Sequence, residues 1–318
     1  MSKGKSPLLW TNDDLGRGGS ESLRRMVEFL GRYRVPGSFA TVPVALTQEG
    51  PRFIDDDAAL RDQIAKARSA GHEFFQHGTT HVCIEYGMSD PRMYHAKLMG
   101  HAEAREVTRQ RPYYERFWTL EAIKAQIEWG RDAWIRAFGE PSKGFRPGCG
   151  CTHRNLFAAL EELDFDWVSS DLVSFTGWMW TVGEFDTPHE MEPPVRPYMR
   201  TAKLMEFPIL DDFAFRVKPD QVDRFVELGL AYWARCVEEG WPFIVCSHWH
   251  GLEANHDTGY RVHERLLDTI MGSGRADPMT LGEYHRKLLA GEYPLDPPEV
   301  LNPPDPPGYH VWHFEGKR

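Results

Sequence analysis

Pro7-Leu8-Leu9-Trp10-Thr11-Asn12-Asp13-Asp14 sets the reading of this chain: an apolar run that ends abruptly in a polar cluster. A short continuous apolar stretch bounded by turn-forming residues is the pattern of a strand buried on both faces, as in parallel sheets. The period then changes. Between Glu21 and Tyr33, Leu23, Met26, Val27 and Leu30 recur at helical spacing, and Gly37 follows the basic end. The alternation continues down the chain. Strands are predicted at Ser38–Val42, Glu73–Gln76, Gly144–Phe145, Asp166–Ser170, Pro242–Ser247 and Met279–Leu281. Helices are predicted at Asp57–Ser69, Leu120–Phe138, from a Thr152 cap through Leu163, from Pro219 to about Glu239, Tyr260–Met271 and Gly282–Leu289. Strand–helix alternation of this kind predicts a parallel α/β sheet, here long enough to curl into a barrel.

Two stretches interrupt the series. Val82–Phe117 is polar, holds His95 and His101, and is too long for an ordinary loop; Trp178–Met205 is aromatic and Pro-rich. Residues 294–318 contain seven prolines and are expected to run extended over the surface or onto a second copy of the chain. No separating linker stands out, so the expectation is one elaborated domain over residues 1–318, with an insertion at about 82–117 and a Pro-rich tail at about 291–318.

Composition narrows the function classes. The chain has 318 residues, 37 basic and 47 acidic, a formal net charge of −10 and 41% hydrophobic residues. That supports a sizeable core and excludes a disordered chain. A net negative chain without a basic cluster is a poor partner for nucleic acid or an anionic membrane. No run approaches the roughly 18 apolar residues of a membrane helix, and no secretory signal is legible at the start. Five cysteines without a C-x-x-C pair fit a reduced compartment, so a cytoplasmic protein is expected.

Reactive side chains in such folds collect at the C-terminal ends of the parallel strands. Here Asp13 and Asp14 follow LLWTN, His77 and His81 follow EFFQ, Arg146 follows Gly144–Phe145, Asp171 follows FDWVSS, and His248 follows FIVCS. Taken singly, each has a bland reading. Paired aspartates are cheap turn and cap residues, and Asp55-Asp56-Asp57 and Asp211-Asp212 repeat the pattern. With 14 histidines in the chain, one H-x-x-x-H spacing is close to what chance supplies. Their shared position at one end of one sheet is what raises them. Two imidazoles and a carboxylate form a facial metal site with open positions. A second carboxylate beside it can take a proton from water, an arginine can keep that carboxylate ionised, and a histidine opposite can protonate a departing amine.

Taken in order, Thr11–Asp14 (TNDD), Gly71–His81 (GHEFFQHGTTH), Phe145–Gly150 (FRPGCG), Trp167–Asp171 (WVSSD) and Ile244–His248 (IVCSH) resemble the five motifs of the polysaccharide deacetylase family, the NodB-homology group or carbohydrate esterase family 4. The resemblance extends from about residue 7 to about residue 290, with MTLGEY at Met279–Tyr284 resembling the family's closing strand and helix. It implies a distorted, TIM-like (β/α) barrel of about seven parallel strands. Asp13 matches the family's general base; Asp14, His77 and His81 match its metal ligands; Arg146 matches the residue that tethers the base. His248 matches the general acid and Asp171 the carboxylate that orients it. The implied cofactor is one divalent ion, zinc first, with cobalt, manganese, nickel or iron as substitutes. Asn12 stands where the family usually has an aromatic residue, and Gly148 and Cys149 where a proline or aromatic is common. The long insertion and EFPILDDFAF at Glu206–Phe215 are more similar to the intracellular, allantoinase-like branch.

The expected activity is metal-dependent hydrolysis: attack of a metal-activated water removes an N-acyl group, acetyl first, from a sugar, oligosaccharide or other small amide. Opening of a cyclic amide or ureide is the alternative. A metal-free binding protein on the same barrel is disfavoured by the complete ligand set, and an iron oxygenase by the βα alternation. Self-association is left open. Cys149, Trp178, Trp180 and Trp249 are the candidates for the substrate pocket, since flat rings stack on sugars. A thiol nucleophile at Cys149 with His153 as partner is the weaker chemistry.

Overall fold

The computed structural model describes residues 5–16, 19–97, 100–189, 191 and 194–295. Its strands are β1 (Ser6–Leu15), β2 (Gly37–Thr41), β3 (Val44–Thr47), β4 (Gly50–Phe53), β5 (Glu73–His77), β6 (Gly144–Arg146), β7 (Trp167–Val168), β8 (Tyr198–Met199), β9 (Met205–Glu206), β10 (Phe243–Val245) and β11 (Ala276–Pro278). Seven of them run parallel in the order β10-β1-β2-β5-β6-β7-β9; β11 adds in parallel to β1, and β8 lies antiparallel on β9. After β9 the chain leaves β7 and crosses to β10. Ile209 N–H donates to Asp171 O at 2.8 Å, then Leu210 N–H donates to Ile244 O at 2.8 Å and Cys246 N–H to Asp211 O at 3.1 Å. That crossing draws the two ends of the parallel run together into the distorted, barrel-like α/β fold that the sequence implies.

Side-chain alternation in the strands explains the two layers of core. Leu9, Ala40, Phe75 and Ile244 join Trp167, Met205, Phe207 and Tyr284 in one buried cluster. Their strand neighbours Leu8, Trp10, Phe39, Phe243 and Val245 point the other way, into a cluster with the helices Ser20–Tyr33 and Val222–Glu239. Both faces of these strands are apolar because both are covered.

Several local expectations are corrected. β1 does not stop where its apolar run meets the polar cluster but carries Asp13 and Asp14, with a register irregularity between Asn12 and Leu15. Val82–Phe117, too long for an ordinary loop, holds the helices Pro91–Lys97, His101–Arg109 and Arg111–Tyr114. His153, not Thr152, caps the next helix, its Nδ1 accepting from Asn155 N–H at 3.2 Å. The closing strand is Ala276–Pro278; Thr280 already caps the helix Leu281–Leu289 by accepting from Glu283 N–H. The predicted Tyr260–Met271 helix is part of Trp249–Gly272, broken at Ala254–Asp257. Most of the Pro-rich tail lies outside the described residues. Among the described residues no helix is long and apolar enough to cross a membrane.

Gly144 on β6 sits under the indole of Trp167, so a Cβ there would fall within the ring. Gly31, exposed near the end of its helix, has open space around its Cβ position. Gly144→Ala is expected to lower stability by about 1–3 kcal/mol through overpacking. Gly31→Ala should be neutral or stabilising by up to about 1 kcal/mol. Urea unfolding midpoints of the two variants, measured side by side, check the opposite signs.

Candidate active site

The strand ends converge as the sequence suggests. Asp13 N–H donates to Ser247 O at 2.8 Å and Ser247 N–H to Thr11 O at 2.9 Å, so β1 and the end of β10 are stitched together beside the two aspartates. Asn12 completes the seam, its Nδ2 donating to Ser247 Oγ at 2.8 Å. From β6, the buried Arg146 guanidinium reaches Asp13 Oδ1 at 2.6 Å, Thr11 Oγ1 at 2.9 Å and Ser169 Oγ at 2.8 Å. Burial pushes the Asp13 carboxyl up, but Arg146, with His77 and His248, outweighs it and holds the group below the usual aspartate value.

His77 ends β5, and its Nδ1 lies 3.0 Å from Arg146 O. A carbonyl only accepts, so Nδ1 carries the hydrogen and Nε2 the lone pair. That Nε2 lies 3.6 Å from Asp13 Oδ2 and 3.6 Å from Asp14 Oδ1. The turn after it brings His81 back to the same point. Gly78 (φ 57°) and His81 (φ 61°) are left-handed, and the Glu85 carboxylate accepts the N–H groups of Thr79, Thr80 and His81 at 2.7–3.2 Å. His81 Nε2 ends 3.0 Å from Asp14 Oδ1, with the two imidazole rings 4.6 Å apart. Burial pushes Asp14 up, yet the neighbouring imidazoles, His81 foremost and then His77, outweigh it and hold the carboxyl well below the usual range.

These residues fit a divalent cation. Asp14 Oδ1 and His77 Nε2 are buried acceptors that receive no hydrogen bond, and they face each other with His81 Nε2 within 4.8 Å. A tautomer fixed through Nδ1 to a carbonyl is the support a metal-ligating imidazole needs.

Opposite them, His248 pairs with Asp212, not Asp171: Nδ1 lies 2.7 Å from Asp212 Oδ2. Asp212 is fully buried, and its Oδ1 accepts from Ala214 N–H at 2.7 Å and Phe215 N–H at 2.9 Å. The carboxylate of Asp171 is engaged elsewhere, by Tyr198 and Arg200. Its backbone N–H donates to Glu206, which also takes Ser170 N–H and Arg200. The chain thus turns Asp171 into a buried charge network beside β9, while the crossing to β10 delivers Asp212 to His248.

Asp13, His77, Arg146 and His248 share a narrow pocket with Met93, Cys149, Leu172, Trp178 and Ile209. Trp178 stands edge-on to His248 at 5.5 Å between ring centroids. It and Trp180 lie on the helix Thr176–Thr181. Trp180 is no pocket residue: it packs on Phe225 and carries Arg224 over its face. Trp249 does not line the pocket either; its Nε1 donates to Asp14 O at 3.1 Å and steadies the aspartate turn. His250 lies 3.6 Å from Asp14 Oδ2. The sequence reading missed Glu85 and Asp212, although Asp211-Asp212 follows the strand-like EFPIL as Asp13-Asp14 follows LLWTN.

The polysaccharide deacetylase family profile matches residues 2–168, and the chain belongs to that family, one of hydrolytic deacetylases. A polysaccharide deacetylase-type protein from Mycobacterium smegmatis has the same fold, with a TM-score of 0.59 at 14% identity over 93% of this chain and 94% of its own. The chitin deacetylase of Colletotrichum lindemuthianum is similar at 15% identity and a TM-score of 0.49 over 88% of each chain. No curated protein sequence matches. The allantoinase-like branch is not singled out.

The Asp171 network has its own signature. Burial pushes Glu206 up to about 7, Asp171 adds to the rise and Arg200 opposes it. Between the unfolded value of 4.5 and about 7, the folded chain therefore binds more protons than the unfolded one. The stability this supplies is complete below pH 4.5 and is lost as pH rises through about 7. Glu206→Gln, neutral throughout, is expected to flatten that part of the profile. Urea midpoints at intervals across this range, for wild type and variant, read the difference in slope.

Proposed function

We propose that this protein hydrolyses an N-acetyl amide on a sugar or oligosaccharide, with Asp14, His77 and His81 holding a divalent cation, zinc first. The observation that carries the reading is the convergence of three acceptors, one on a tautomer-locked imidazole, beside a carboxylate already clamped by arginine. When bound, the cation acidifies water and polarises a carbonyl oxygen. The protein's own groups supply the rest. Asp13, kept ionised by Arg146, takes the proton from the attacking water. His248, fixed through Nδ1 by Asp212, turns its other nitrogen toward the pocket and gives a proton to the departing amine. A backbone N–H near Cys149, which lines the pocket, is the donor assigned to the developing oxyanion.

The pocket supports a small acyl group. It leaves room of about 30 Å³, enough for two or three water-sized groups. Met93, Leu172, Trp178 and Ile209 give it an apolar wall. Ring opening of a cyclic amide would use the same groups, but no observation favours it. The thiol mechanism is disfavoured because the Nδ1 of His153 is occupied as a helix cap.

Asp13→Asn is expected to keep its metal and lose about 10²–10⁴-fold in kcat/KM on an N-acetylated chito-oligosaccharide, read by acetate release and metal analysis. Loss of metal in Asp13→Asn but not in Asp14→Asn would reverse the two roles. His248→Ala should lose about 10²-fold or more on the amide and far less on an activated acetyl ester, whose leaving group needs no proton. Asp212→Asn should shift the amide-to-ester ratio in the same direction, and Asp171→Asn should leave it unchanged. An equal loss on both substrates in His248→Ala would remove it as the acid.

A further inference from the structure

A second cluster of ligating side chains lies where the insertion meets the barrel. His95, on the helix Pro91–Lys97, and His101, first residue of the helix His101–Arg109, lie face to face, with ring centroids 3.6 Å apart and planes within 19°. Glu184 comes from beyond the helix Thr176–Thr181. Its Oε1 lies 3.1 Å from His101 Nε2 and 3.5 Å from His95 Nε2. The three ligating atoms all fall within 4.8 Å of one another.

The backbone holds Glu184 in place. Gly183 is left-handed (φ 91°), its N–H donates to Trp180 O at 3.1 Å, and Glu184 N–H donates to Met179 O at 3.0 Å. This paired closure of a helix end fixes the residue that follows the glycine. Glu184 is therefore presented to the two histidines by a rigid turn.

The spacing suits a metal. With bonds of about 2.0–2.1 Å, neighbouring ligand atoms of a tetrahedral zinc site stand roughly 3.3 Å apart, which the two observed separations bracket. One histidine on one carboxylate is an ordinary ion pair. A second histidine brought to the same carboxylate oxygen is different: with both Nε2 atoms beside Oε1, the stacked rings have only to swing apart for both to face one ion. Two imidazoles and a carboxylate are a donor set that suits a cation of zinc's type.

We propose that His95, His101 and Glu184 form a second divalent-cation site, of zinc character, that fastens the insertion to the barrel. Glu184 and His101 are 45% and 37% exposed, so the fourth position is open to water and the ion can enter from solvent. The site also lies next to two helices that reach the pocket. The helix bearing His95 carries Met93, the helix leading to Glu184 carries Trp178, and both of those residues stand on the pocket wall. A clamped ion would fix the distance between these two walls. The proposal stands apart from the assignment of Asp14, His77 and His81.

Metal counting tests it. Chelator-stripped full-length protein is titrated with Zn²⁺, and bound metal is measured after removal of the excess. Wild type is expected to hold two ions per chain, the double variant His77→Ala, His81→Ala one, and His101→Ala or Glu184→Gln one. In the double-variant background, zinc should raise Tm by several degrees, and adding His101→Ala should abolish that rise. Circular dichroism of each variant reports that it has folded, and His101→Asn serves if the alanine variant does not. A single ion in wild type that the His77, His81 double variant loses would overturn the second site and leave the proposed activity standing. A single ion that His101→Ala loses and the double variant keeps would uphold the second site and overturn the catalytic assignment.

Discussion

A buried arginine organises this protein's interior. Arg146 is 2% exposed and reaches across the barrel: its guanidinium meets Thr11 and Asp13 of β1 and Ser169 beyond β7, and its carbonyl holds His77 on β5. A guanidinium offers donors in a fixed planar fork, so one side chain can satisfy several acceptors at set angles where a lysine ammonium could not. Burying this charge is costly, and leaving it without Asp13 would cost about 3–5 kcal/mol. The pair therefore cannot relax independently. The carboxylate that faces the pocket is set by the same residue that sets the tautomer of the neighbouring imidazole. Electrostatics and geometry share one anchor.

Much of this was legible in the sequence because strand ends are legible. An apolar run followed by a polar cluster marks both the element and the point where its side chains emerge, which is why Asp13, Asp14, His77, His81, Arg146 and His248 could be grouped before any coordinates. Asp171 and Asp212 show where that logic stops. Both follow strand-like runs, but β7 and β9 hold only two residues each. Which aspartate reaches His248 depends on the chain crossing from β7 to β10 after Ile209, a long-range choice without a local pattern. Glu85 was hidden for a similar reason. A lone glutamate in a polar stretch becomes the hub of the histidine turn only once Gly78 and His81 adopt left-handed conformations. Trp180 and Trp249 were misjudged because aromatic residues near a site in sequence are as often packing or propping groups as pocket walls.

Left-handed residues occur in different settings: Asn255, His256 and Asp257 lie in the break of the helix Trp249–Gly272, and others stand elsewhere. Arg34 and Asp164 are left-handed just beyond helix ends, where the conformation closes a helix. Asp14, His81 and Cys149 adopt the same region with no helix to terminate, at about 1–3 kcal/mol each, and all three lie at the strand-end cluster. Such strain persists only where surrounding contacts over-determine it. Trp249 on the Asp14 carbonyl and Glu85 on the His81 amide are two of those contacts. The aspartates and histidines are thus held in place by groups outside the pocket, and the narrow space between them is pre-formed.

β1 has a consequence for how the molecule comes into being. It precedes all its sheet partners in the chain, yet it sits mid-sheet, with Leu8 opposite Phe243 on one side and Ser6 opposite Ala276 beside it. Its partner β2 follows within a few tens of residues, but the other flank waits for β10 and β11, more than two hundred residues on. During synthesis an apolar strand edge stays open while some two hundred further residues emerge, a state prone to pairing with other chains. Contacts of such sequence separation also slow the final closure. The ribosome-bound intermediate, rather than the finished barrel, is the stage at which this protein depends most on protection from aggregation.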